Sequence, residues 1–162
     1  MDFSGGRGYI EKDWGQAFPA AWIWFQSNHF GDVPACITAS VAIIPWVGRA
    51  FRGFIVGLWL NGKLYRFTTY KRSRIESLQI FDDHVDWVLR NDQYRLSLIA
   101  RRVTGGLLRG PTRLDMGKRV LETLSATVHV RLETLQGALL FEGVGSHTGL
   151  EVMGDLPRLL RG

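Results

Sequence analysis

The chain has a single cysteine, Cys36, so no intramolecular disulfide can form. A reducing compartment fits this, and Cys36, set in an apolar run, reads as an inert core thiol. The histidines, His29, His84, His129 and His147, include no closely spaced pair and have no cysteine beside them, so zinc-type spacing is missing. There is no Gly-x-Ser-x-Gly nucleophile turn, because Gly143-Val144-Gly145-Ser146 has the wrong spacing. Ser4-Gly5-Gly6-Arg7-Gly8 lacks the Lys-Ser/Thr ending and the following helix of a phosphate-binding loop. The charge-free stretch over residues 33–48 is broken by Pro34 and Pro45 and is too short to span a bilayer. The opening Met1-Asp2-Phe3-Ser4-Gly5 has neither the basic nor the apolar part of a secretory leader, so the expectation is a cytoplasmic protein. No long 3.6-residue period occurs. The helix candidates are a turn after Pro111 and a short piece near Pro157-Arg158-Leu159-Leu160.

What is present is alternation. The 162 residues suffice for one domain with a real core, and 46% apolar with 22% charged residues is ordinary for a globular protein. Over residues 124–132, Leu124, Ala126, Val128, Val130 and Leu132 point one way, and Ser125, Thr127, His129 and Arg131 the other. Leu60-Asn61-Gly62-Lys63 is a hairpin turn that sets Leu58 against Tyr65 and Val56 against Phe67. Arg90-Asn91-Asp92-Gln93 predicts a second hairpin, with Leu89 against Tyr94, Trp87 against Leu96 and Val85 against Leu98. Turns are also expected at Thr104-Gly105-Gly106-Leu107 and Gln136-Gly137. Over residues 36–44 one face is apolar and the other small (Cys36, Thr38, Ser40, Ala42), which leaves room for a ligand or a second sheet. The 19 glycines and a count of about ten strands, spaced by roughly 8–12 residues, predict an all-β, antiparallel barrel or sandwich forming a single domain over residues 1–162. Gly143, Gly145 and Gly149 read as bulges or points of close backbone approach.

Net charge is +5, carried by arginine far more than lysine. Arg101 and Arg102, with Arg109 and Arg113 nearby, are the main local concentration. A basic balance is compatible with an anionic membrane surface or nucleic acid, but a solvated arginine-rich surface is the plainer reading. Nucleic acid is the least favoured partner.

The first thirty residues hold three of the six tryptophans, beside carboxylates, amides and a histidine. Such a mixture is unusual for a core strand, because each buried polar group needs a partner, and it suits a pocket for a large apolar ligand with a polar end. In an extended segment Glu11 and Asp13 share a face with Tyr9, their Cα atoms roughly 7 Å apart. A carboxyl group held among aromatic rings can serve as a general acid, although an ordinary salt bridge with a nearby basic residue is the plainer role. Trp22, Trp24, Gln26 and Asn28 share one face of the next strand, and Ile23, Phe25, Ser27 and His29 the other. Both faces run from aromatic to polar.

Gly-Tyr-Ile-Glu-Lys-Asp-Trp-Gly at 8–15, Phe18-Pro19, Trp22-Ile23-Trp24 and Gln26-Ser27-Asn28-His29-Phe30 resemble the tocopherol cyclase family. So do Phe141-Glu142-Gly143 and Gly149-Leu150-Glu151-Val152-Met153-Gly154 near the other end. The resemblance implies a lipocalin-like (calycin-like) β architecture with two lobes, in proteins about twice this length, of which this chain resembles the C-terminal lobe. It implies closure of a prenylated hydroquinone to a chromanol without redox cofactor or metal. On that basis Glu11 or Asp13 is expected as the acid, and Trp22 and Trp24 as the wall that stabilises the cation. Gln26, Asn28 and His29 would orient the quinol, with Tyr9 and Trp14 also against the substrate. The implied partners are a hydrophobic isoprenoid or prenyl quinol, an N-terminal lobe or second copy, and a membrane surface touched peripherally. The alternative is a non-catalytic lipocalin-like carrier of such a ligand.

Overall fold

The structure, a computed structural model, describes residues 2, 4, 5, 8–12, 18–110 and 116–161. Strands β1 (Ala21–Ser27), β2 (Ala35–Trp46), β3 (Arg49–Leu60), β4 (Lys63–Thr68) and β5 (Arg74–Ile80) are followed by β6 (His84–Arg90), β7 (Tyr94–Arg101), β8 (Gly106–Gly110), β9 (Lys118–Thr134) and β10 (Leu139–Gly154). Among the described residues one short helix, α1 (Leu156–Arg161), follows β10. The strands form one ten-stranded antiparallel sheet in the order β4-β3-β2-β1-β10-β9-β7-β6-β5, with β8 added on β9. This is the all-β architecture expected, curled into a nearly closed barrel. Near the two edges, Tyr65 of β4 meets Tyr94 edge-on at 5.0 Å, Lys63 Nζ donates to the Tyr94 hydroxyl at 3.0 Å, and Asn91 Nδ2 donates to the Arg66 carbonyl at 3.2 Å. No helix among the described residues is long and apolar enough to cross a membrane.

Alternate residues of every strand of the ring face a common interior. Ile23 and Phe25, Ile37 and Val41, Val56 and Leu58, Phe67, Leu89, Leu96 and Leu98, and Val128 to Leu132 by twos join one buried cluster. Trp87 is fully buried at its centre, with edge-on contacts to Phe25 at 6.2 Å and Phe54 at 6.4 Å. At one end α1 is tied to β3, because Arg52 Nη1 donates to the carbonyls of Leu159 and Leu160 while Leu159 inserts fully into the core. Asp155 caps the helix by accepting from the Arg158 amide at 3.1 Å.

The Asn61-Gly62 hairpin has the register the sequence predicts, with Leu58 opposite Tyr65 and Val56 opposite Phe67. The second hairpin is shifted by two residues: Leu89 faces Leu96, Trp87 faces Leu98 and Val85 faces Ala100. Asn91 is the cause. Its side-chain oxygen accepts from the amides of Gln93 and Tyr94, and its own amide donates to the Tyr94 carbonyl, so the turn is built on residues 91–94. A shift of two preserves the inward face. Leu124 also departs from expectation. It is 67% exposed, while Thr123 is buried in its place, because an extra residue in β9 separates the Thr123–Leu150 pair from the Ala126–Thr148 pair. The helix near Pro157 is found; residues 111–115 lie outside those described.

Trp87→Ala is expected to cost about 3–5 kcal/mol in urea unfolding, since the interior cannot close over a lost indole. On the outer face Arg131 bridges Glu133 at 2.8 Å and Glu142 at 2.9 Å. The hydrogen bond from Arg131 holds the Glu133 carboxyl below its ordinary value. Its contribution to stability is therefore present at neutral pH and is lost as the pH falls through that lowered value. Urea melts between about pH 3 and pH 7 should show a shallower acid decline in Glu133→Gln than in the wild type.

Candidate functional site

Strand β1 has two occupied faces. Ile23, Phe25 and Ser27 point into the barrel, and Trp22, Trp24 and Gln26 point out. The wall that the sequence suggests for a pocket therefore lies on the exterior of the sheet; the barrel interior is filled by other side chains. Trp22 is nevertheless buried, in a second cluster with Ala42 and Val120, flanked by Trp24, Ile44 and Met153. Phe18 stacks on it at 4.9 Å with the planes 16° apart. The small face of β2 makes the room: Trp22 is paired with Ala42, Trp24 with Ser40 and Gln26 with Thr38. On the other side β10 sets Met153 beside Trp22, Glu151 beside Trp24 and Gly149 beside Gln26. A Cβ at Gly149 would stand 3.0 Å from the Trp24 ring, and one at Gly110 would stand 2.5 Å from the Phe18 ring. Both glycines are places where an aromatic ring lies directly on backbone.

Each outward tryptophan donates its indole N–H to a different carboxylate. Trp22 Nε1 donates to Glu151 Oε2 at 2.6 Å, and Trp24 Nε1 donates to Glu11 Oε2 at 3.1 Å. The Tyr9 hydroxyl donates to the same oxygen of Glu11 and lies 2.9 Å from Thr38 Oγ1. Residues 8–12 are thus laid over β1 and β2 by side-chain bonds. Register also places Glu122 of β9 opposite Glu151. Next to this layer the Gln26 amide nitrogen is buried and has no hydrogen-bond partner among the described residues. An aromatic floor carrying one carboxylate from the opening segment and another from β10, with an unpaired amide donor alongside, can bind an apolar molecule with an oxygen-bearing end and exchange protons with it.

The structure brings Tyr9, Glu11, Trp22, Trp24 and Gln26 together. Asp13 and Trp14 lie outside the described residues. Asn28 is half-buried just past the end of β1. His29 is exposed and forms an isolated bridge with Ser146, its ring 5.1 Å from that of His147. It is five positions from Trp24, roughly 17 Å along an extended strand, and so is not part of the aromatic floor. Glu151 is the residue that sequence reasoning left out of the site. The available signal was a single carboxylate between Leu150 and Val152, in a segment otherwise apolar or glycine. Among the described residues no group of three His, Cys, Asp or Glu side chains is placed to hold a metal ion.

Gly149→Ala should displace the Trp24 ring by a few tenths of an ångström while the fold persists. The expected outcome is a changed near-ultraviolet circular dichroism signal and altered tryptophan emission, with an unchanged far-ultraviolet spectrum.

No curated protein matches this chain. Among solved structures, kievitone hydratase from Nectria haematococca is similar at a TM-score of 0.46 and 14% sequence identity, over 84% of this chain and 40% of that one. The chain thus spans well under half of that protein. Residues 1–154 match the tocopherol cyclase-like family, and this span contains both the segment carrying Tyr9 and Glu11 and the strand carrying Glu151. By that match, the chain belongs to the tocopherol cyclase-like family.

Proposed function

We propose that the outer face of β1 binds a prenylated hydroquinone or a related isoprenoid phenol and closes it to a chromanol by acid-catalysed intramolecular cyclisation. The observation that carries this reading is the paired arrangement on one strand: Trp22 to Glu151 and Trp24 to Glu11. The reaction is an isomerisation that takes up one proton at carbon and gives up one from oxygen, so a donor and an acceptor beside an aromatic floor meet its requirements.

Glu11 serves as the donor. Tyr9 and Trp24 both bond Oε2, which leaves Oε1 to carry the acid proton toward the alkene. Protonation of the trisubstituted double bond leaves a tertiary cation, which the face of Trp24 stabilises, while Trp22, covered by Phe18, supports the floor from within. The phenol oxygen, held by the Gln26 amide, attacks that carbon and forms the C–O bond. Glu151 accepts the phenolic proton, and exchange with solvent returns both carboxyl groups to their starting states. Glu11 is exposed in this chain. A cover over it, an N-terminal lobe or a second copy, supplies the water exclusion that the cation needs.

With a prenylated hydroquinone as substrate, Glu11→Gln and Glu151→Gln should each lower turnover about 100-fold or more. In deuterated water the chromanol should gain one deuterium at the protonated alkene carbon. Wild-type turnover retained in both variants would overturn the assignment. Quenching of tryptophan emission by the quinol, with no product from any variant or from the wild type, would establish the carrier reading instead.

A further inference from the structure

We propose that the β2–β3 hairpin tip is a docking point for an anionic lipid surface. The tip is Pro45-Trp46-Val47-Gly48-Arg49, closed by the Trp46–Arg49 pair, with Trp46 67% and Val47 87% exposed. Neither side chain is used by the barrel core or by the aromatic floor described above.

The turn's own chemistry shows that the fold does not ask for valine here. A two-residue loop of this kind needs positive φ at both central positions, and Val47 and Gly48 have φ of 41° and 73°. A β-branched residue is strained in that region. The next hairpin of the same chain makes an equivalent turn, at φ of 48° and 84°, with Asn61-Gly62, the residue pair that suits it. The β2–β3 tip therefore carries an apolar, fully projecting side chain at a site where a polar one would fold better.

What surrounds the tip is basic. Arg49 is in the tip itself. The end of α1, tied to β3 through Arg52, presents exposed Arg158, Leu160 and Arg161. Within these segments and their flanking residues in the chain, Asp155 is the one acidic group, and it is engaged at the α1 cap. A single tryptophan and a valine offer too little area for a stable protein interface. They suit the headgroup level of a bilayer, where an aromatic anchor and several arginines act together. The occupant is therefore a membrane with anionic headgroups. The proposal stands apart from the cyclisation chemistry, because it needs no isoprenoid to be bound.

The test is co-sedimentation of the full chain with vesicles of phosphatidylcholine alone and of phosphatidylcholine with phosphatidylglycerol. Binding is expected only to the anionic vesicles and should weaken as salt is raised. Trp46→Ser with Val47→Asn should lower the partition coefficient about tenfold or more while leaving the melting temperature unchanged or higher, since Asn-Gly relieves the strained turn. Arg49→Gln should lower it about fivefold. Equal binding by the wild type and the double variant, or no wild-type binding to either vesicle, overturns the proposal. So does self-association of the wild type that the double variant abolishes without any vesicle binding, which would assign the tip to a second copy.

Discussion

The two-residue period of β1 governs the architecture of this protein. Its inward residues, Ile23 and Phe25, belong to a barrel core that is already filled around Trp87, so the adjacent tryptophans have no place inside. They lie outside and still require burial and partners for their N–H groups. Both needs are met by neighbouring backbone and carboxylates: Ala42, Ser40 and Gly149 give the rings space, and Glu151 and Glu11 accept the N–H bonds. One strand thereby joins the core, β10 and the opening segment.

This explains why two separated blocks of sequence belong together. The opening block and the glycine-rich ending are distant along the chain, yet β1 and β10 are hydrogen-bonded neighbours over residues Ala21 to Gln26 and Gly149 to Gly154. Gly149 is needed where the Trp24 ring lies on β10, Met153 sits beside Trp22, and Glu151 meets its indole. The residue types in the ending are those that the outward-facing aromatics of the opening block require. A carboxylate bonded to an indole is also fixed in direction, which is what proton transfer to a bound molecule asks of it.

The fold was legible in the sequence wherever a local rule decided it. Asn61-Gly62 determined its hairpin, and alternation along β2 separated the core face from the small face that receives Trp22 and Trp24. Errors arose where a side chain or an extra residue overrode the simple period. The Asn91 carboxamide moved the second turn by two residues, and the bulge in β9 turned Leu124 outward. Val47-Gly48 gave no turn signal, because valine is a poor choice for that geometry. For the site, strand parity grouped Trp22, Trp24 and Gln26 correctly, but parity alone does not say which face is the interior. That depends on how the whole sheet curls, and hence on strands far away in sequence. Glu151 and the exclusion of His29 from the aromatic floor depend on the β1–β10 register, which one strand read alone does not contain.

The central claim is that ligand meets the outer face of β1 and leaves the barrel interior closed. The direct measurement is the set of indole N–H signals of the nitrogen-15-labelled chain, followed by nuclear magnetic resonance as a prenylated hydroquinone is added. The account predicts that the Trp22 and Trp24 signals move with the ligand while that of Trp87 stays in place. Movement of Trp87 with Trp22 and Trp24 unchanged would put the ligand inside the barrel and contradict it.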